Sequence, residues 1–157
     1  VVFNDSPEPG GRRSMLLGAS FAGLAIENSM LGSAHAGANP LTAEFGVTHG
    51  HAVGLLLPHV IRFNAAVPSA AEVYARLARE TRVAREDDQL DVAVERLRQR
   101  VEELYSLSGL PRRLSDCGVS AGDIEKLATK AAEQWTARFN PRPAEVKDFI
   151  ELYSAAF

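Results

Sequence analysis

All four histidines of this 157-residue chain, His35, His49, His51 and His59, fall within residues 33–60, "SAHAGANPLTAEFGVTHGHAVGLLLPHV". Neutral imidazole is the commonest metal ligand, so these are the nitrogen donors from which a metal centre would be built. His49 and His51 are two residues apart and diverge on a helix, since side chains meet at separations of three or four. His35 and His49 lie on either side of a stretch interrupted by proline and glycine, which lets the chain turn one imidazole toward the other. The small residues of "GSAHAGAN", 32–39, leave room around His35 for an ion, a substrate and a cofactor face. Spacing alone does not choose between this reading and four hydrogen-bonded core or surface histidines, which is the commoner arrangement.

Other chemistry has less support. The glycines form neither GxGxxG nor GxxxxGK[ST], so no phosphate-cradling loop is indicated. Cys117, the single cysteine, sits in "SDCGVS" without a patterned histidine partner and reads as a small packing or surface residue. Alone it forms no intramolecular disulfide and no cysteine-rich zinc cluster, which leaves a cytoplasmic setting as the expectation. A net charge of -3, from 17 basic against 20 acidic residues, offers no field for nucleic acid or an anionic membrane. Arg12 and Arg13 before the uncharged run Ser14–Ile26 imitate an export signal. Glu27 and Asn28 interrupt that run, well short of the roughly 20 apolar residues a membrane span needs.

The elements that would position the histidines are helical. With 46% hydrophobic and 24% charged residues, the chain has the composition and length of one globular domain. Residues 1–11, with two prolines and two glycines, read as an irregular lead-in, and the domain as 12–157. Arg12 to about Leu31 reads as a central helix surrounded by others, with Gly18, Ala19, Ala22, Gly23 and Ala25 allowing close approach. Residues 32–48 are expected to be short helical turns and loops rather than one continuous helix, because of Pro40 and the glycines at 32, 37 and 46. His49–Asn64 reads as an apolar helix kinked at Pro58. Ser69 with Glu72 has capping-box spacing for the next helix, to about Arg85. Leu90, Val94, Leu97, Val101 and Leu104 mark one face of another, whose charged side, Glu86 to Glu103, is solvated. Ser120 and Asp123 cap a further helix carrying Ile124, Leu127, Ala131 and Trp135 on one face, with Trp135 and Phe139 expected in the core. After "NPRP", 140–143, a last helix carries Val146, Phe149, Ile150, Tyr153 and Phe157. No stretch alternates as a strand does, so the fold reads as an all-α helical bundle.

The ordered block "GLAIENSMLGSAHAGANPLTAEFGVTHGHAVGLLLPHVIRFN", residues 23–64, resembles the segment of iron-containing (group III) alcohol dehydrogenases that carries two metal-binding histidines. The final "NPRPAEVKDFIELYSAAF" resembles their closing helix, and the likeness runs from about residue 12 to the end. The resemblance implies the C-terminal metal-binding domain of that family, with His35 and His49 as ligands of Fe2+ (or Zn2+). The other two ligands, an aspartate and a histidine on an earlier helix, have no counterpart in this sequence. NAD(P) would be held by an N-terminal nucleotide-binding half, which is absent here. Family members often carry a histidine four residues after the first ligand, beside substrate and cofactor. Asn39 stands there, able to hydrogen-bond but not to exchange a proton near neutral pH. His51 occupies a position that is often apolar in the family, and His59 reads as structural.

The resemblance implies interconversion of small-molecule alcohols and aldehydes by hydride transfer, in a half that is inactive alone. The chain begins at Val1 and is expected to be a piece of a longer protein. Two alternatives are a non-catalytic helical module or degenerate relative, and maleylacetate reductase-like or polyol dehydrogenase chemistry on the same scaffold. An apolar surface that another domain would cover also predicts homo-oligomers.

Overall fold

The first local constraint on the chain is a run of buried small residues around a proline. In the computed structural model, which describes residues 9–157, Ser33–Phe45 forms one helix, α2, that runs straight through Pro40. The expectation that 32–48 is not one continuous helix is therefore corrected over 33–45, while 46–48 do form a loop. Pro40 withholds an N–H from the Ala36 carbonyl at a cost of about 3 kcal/mol. Against that, Ala34, Ala36, Ala38, Leu41 and Pro40 itself are all buried, and a buried leucine alone contributes about 1.5–3 kcal/mol. Gly46, in the left-handed region at φ 65°, ends α2. After it α3, His49–Asn64, begins, continuing through Pro58.

The remaining helices are α4 (Pro68–Glu80), α5 (Leu90–Ser106), α6 (Ile124–Ala132) and α7 (Val146–Ala155), with short 3-10 turns at Ser115–Cys117, Ala121–Asp123 and Trp135–Phe139. No strand occurs among the described residues. Helices α2, α3, α6 and α7 share one core around Leu41, Leu56, Leu127, Phe149 and Tyr153. Helices α4 and α5 form a second layer, whose Ala75, Ala78, Ala93 and Leu97 pack against Ile61 of α3. Gly37 sets how closely the first group can pack: a Cβ there would lie 2.8 Å from Leu56 Cδ1. Through the same gap the fully buried Tyr153 hydroxyl donates to the Gly37 carbonyl at 2.7 Å.

Polar groups tie the bundle where apolar contact ends. Asn140 donates to Asn64 Oδ1 at 2.6 Å and to the Arg142 carbonyl at 2.7 Å, and its Oδ1 accepts from the Ser33 amide at 3.1 Å. Glu44 on α2 is bridged by Lys126 and Lys130 of α6, which holds its carboxyl below the usual carboxylate range. The capping box of Ser120 with Asp123 is present. A second, Glu145 with Asp148, starts α7.

Several expectations need correction. Helix α1 spans Pro9–Ser29 and has no buried residue, so it is not the central helix of this chain. It meets α2 at 107° after Met30, whose φ is 66°. Pro9, Gly10 and Gly11 form its first turn, as suits a proline at a helix start; the rest of the expected irregular lead-in, residues 1–8, lies outside the described residues. Helix α4 starts at Pro68 with no side-chain cap, so Ser69 and Glu72 do not form the expected box. Trp135 and Phe139 are 55% and 51% exposed and meet edge to face, because the chain leaves α6 before them. They are not core. Along α5, Val94 and Leu97 are buried while Leu90 and Leu104 lie exposed.

Two outcomes follow from this packing. Tyr153→Phe is expected to lower unfolding free energy by about 1–2 kcal/mol in urea titrations, since a buried carbonyl loses its donor. His59, half-buried on α3, has its pKa lowered, first by burial and then by Arg62 and Arg98, against an opposing Glu102. The neutral ring is the folded form, so its contribution is complete above the ordinary value of 6.5 and is lost as pH falls through the lower folded value. Urea midpoints are therefore expected to fall from about pH 7.5 to about pH 5.5, less steeply in His59→Gln.

Candidate metal centre

Helices α2 and α3 each present one histidine near their N-terminal ends. His35 is in the first turn of α2, its amide bonded to the Gly32 carbonyl at 3.1 Å, and His49 opens α3. Their rings lie 5.3 Å apart, centre to centre, tilted by 46°. Two imidazoles on one tetrahedral ion, at metal–nitrogen distances of about 2.0–2.1 Å, have ring centres roughly 5 Å apart. The pair therefore fits as half of a metal site. Burial, and then the charge of His49, hold the His35 pKa below the ordinary imidazole value, which keeps its lone pair available.

The other two histidines are elsewhere. His51 points away from His49, with Nε2 at 3.0 Å from the Pro111 carbonyl, and its ring lies 6.0 Å from that of Tyr105. Cys117 does meet a histidine, which its sequence context gave no sign of: Sγ is 3.9 Å from His51 Nε2. Burial, then Asp116, raise the thiol's pKa, so it is no activated nucleophile. Burial also pushes the Tyr105 phenol up to about 12, with Cys117 adding to the effect and Arg112 opposing it. His59 faces the α5 side with Glu102 and Arg98.

Asn39 lies one turn beyond His35 on the same face of α2. Its amide nitrogen donates to Gln134 Oε1 at 2.9 Å, across 95 residues of sequence. Gln134, just after α6, is the site residue that sequence reasoning missed, because a lone glutamine in a turn carries no pattern. Beside His35 opens an apolar groove of about 710 Å³, walled by Val53, Leu57, Val60, Val73 and Phe139, with Asn64 also on its lining. Among the described residues no three His, Cys, Asp or Glu side chains are placed to hold one ion, so further donors would have to come from outside them.

Residues 3–157 match the family model described as Fe-containing alcohol dehydrogenase family, C-terminal. Lactaldehyde reductase of Escherichia coli K12 is 38% identical over 146 residues, covering 91% of this chain and 37% of that protein. The 1-propanol dehydrogenase PduQ of Salmonella typhimurium is 36% identical, covering 90% of this chain and 39% of its own length. The crystal structure of a 1,3-propanediol oxidoreductase superposes with a TM-score of 0.81 at 30% identity, over 87% of this chain and 35% of that one. An alcohol dehydrogenase from Oenococcus oeni gives 0.78 at 27% identity, with the same coverage. The chain thus spans little more than a third of the length of these relatives. It belongs to the Fe-containing alcohol dehydrogenase family, and corresponds to the family's C-terminal, all-helical part.

Proposed function

We propose that this chain supplies two metal-binding side chains, His35 and His49, to an NAD(P)-dependent oxidoreductase that interconverts small alcohols and aldehydes. The single observation that carries the reading is the ring pair, 5.3 Å apart, centre to centre. An N-terminal nucleotide-binding half, absent from this sequence, would bring the remaining ligands and NAD(P). Bound there, Fe2+ or Zn2+ would act as a Lewis acid toward the alcohol or carbonyl oxygen, and the nicotinamide would take or give hydride. The chain's own residues do the rest. His35 and His49 present nitrogen lone pairs toward one point. Asn39, fixed by Gln134, orients a hydroxyl without moving its proton, because a carboxamide does not titrate near neutral pH. The groove beside His35 shields a short carbon chain from water. Relatives that act on lactaldehyde and on 1-propanol support a small aliphatic substrate.

Asn39 also favours a second reading, a non-catalytic helical module that kept the scaffold. Maleylacetate reductase-like or polyol chemistry on the same scaffold differs only in the substrate, and a substrate panel separates it. Two measurements test the main reading. By calorimetry the chain alone is expected to bind Zn2+ weakly, with two protein donors only, and His35→Ala or His49→Ala to weaken that binding tenfold or more, about 1.4 kcal/mol. Mixed with the N-terminal half of a relative and Fe2+, the chain is expected to show NAD(P)H-dependent aldehyde reduction, abolished by either alanine variant. Asn39→His should raise kcat several-fold and add an ionisation near neutral pH to its profile. No activity in any mixture, including Asn39→His, would leave the non-catalytic module.

A further inference from the structure

The turn after α4 and the middle of α5 gather three arginines around one cleft. Arg82, Arg96 and Arg100 line a depression of about 420 Å³, with Gln99 beside them and Glu103 as its one carboxylate. Arg96 and Arg100 are four residues apart on α5, a spacing at which like charges share a face and repel. The chain as a whole is acidic, at -3, so the cluster is not a by-product of excess base.

The backbone sets Arg82 apart. Helix α4 ends in a Schellman pattern, in which the Val83 amide reaches back to the Ala78 carbonyl and the Arg82 amide to the Arg79 carbonyl, both at 2.8 Å. The residue between must be left-handed, and Arg82 is, at φ 58°. Glycine takes that conformation without steric cost, and arginine does not. The dipole of α4 favours a cation at this end, but Arg79 already provides one on ordinary helical backbone. What arginine adds at position 82 is a third guanidinium on the cleft wall.

The donors are only partly used. Arg96 meets Asp88 through Nε at 3.0 Å, and Arg100 meets Glu103 through Nη1 at 3.0 Å. Each fork carries five N–H donors, of which a bidentate carboxylate takes two. Among the described residues no carboxylate pairs with Arg82. A phosphoryl group supplies what is lacking, with three acceptor oxygens and close to two negative charges. The cleft has the size of a small-molecule site, and three arginines in one patch do not form the track that a nucleic-acid backbone needs.

We propose that Arg82, Arg96 and Arg100 form a binding site for the phosphoryl group of a small molecule, between the end of α4 and α5. The cleft shares no lining residue with the groove beside His35, so the site stands or falls separately from the proposed reaction.

Isothermal calorimetry on the whole chain tests it, with phenyl phosphate as the probe in metal-free buffer at low ionic strength. One saturable site is expected, which acetate at the same concentration does not fill. Arg96→Gln and Arg100→Gln should each weaken binding about tenfold, the loss of a charge-assisted pair. Arg82→Gly should weaken it as much while its urea midpoint holds or rises, because glycine suits the left-handed backbone. Glu103→Gln removes the opposing charge and should tighten binding several-fold. His35→Ala, and Arg112→Gln with Arg113→Gln, lie off the cleft and should leave binding unchanged. Absence of saturable heat with phenyl phosphate would overturn the proposal, as would unaltered binding in Arg82→Gly. Equal weakening by the Arg112 and Arg113 changes would mark attraction by net charge alone, and the proposal fails. It fails too if a single-stranded oligonucleotide binds the cleft more tightly than phenyl phosphate, since the partner is then nucleic acid.

Discussion

A single hydrogen bond, from the Tyr153 hydroxyl to the Gly37 carbonyl, fixes where the histidine-bearing wall stands. Position 37 has no side chain, and a Cβ there would lie 2.8 Å from Leu56 Cδ1, which the close packing at this contact does not allow. Gly37 lies two residues after His35 and two before Asn39, so the contact that seats α7 against α2 also sets the height of both side chains relative to α3. Tyr153 is fully buried, which pushes its phenol pKa up and keeps it a donor across the working pH range. Pro40, which looked like a helix breaker, belongs to the same packing. Its ring is buried with Leu41, and the lost backbone hydrogen bond is offset by that burial.

Around this anchor the polar groups divide into two kinds. Charged pairs such as Glu44 with Lys126 and Lys130, or the buried Arg98 with the more exposed Glu95 and Glu102, brace one helix against the next or one turn against another. Other ties are neutral: the buried Asn64 with Asn140 and Tyr153 with Gly37, and the part-buried Asn39 with Gln134. Amides meet each other's donors and acceptors without the desolvation cost of burying charge. The histidine pair itself lies at the edge of the bundle, His35 half-buried and His49 exposed, where an ion could be reached from outside.

Sequence periodicity made α3 legible to the residue, and the Ser120–Asp123 cap and the break at "NPRP" were equally clear. These are local signals, set by neighbours three or four positions away. What it misjudged depended on distant partners. Pro40 was weighed by its backbone cost alone, without the burial that α3, α6 and α7 provide. The apolar α1 pattern reported correctly that the helix wants cover, but not that this chain would leave it bare. Trp135 and Phe139 were assigned to the core by residue type, whereas the end of α6 turns them outward. The approach of His35 to His49 was readable as an opportunity, since small residues and a glycine turn separate them. Gln134 was not readable at all: a neutral amide pair 95 residues apart leaves no trace in spacing or charge.

Asn140 joins the first residue of α2, the last residue of α3 and the carbonyl of Arg142 at one side chain. Because it follows Ser33 by 107 residues, the start of α2 lacks this fastening until residue 140 has been synthesised. During translation the segment bearing His35 and His49 must therefore wait for residue 140 before this side chain can tie the start of α2 to the end of α3. Fastening the start of α2 is thus a long-range step, slower by its nature than the local winding of each helix.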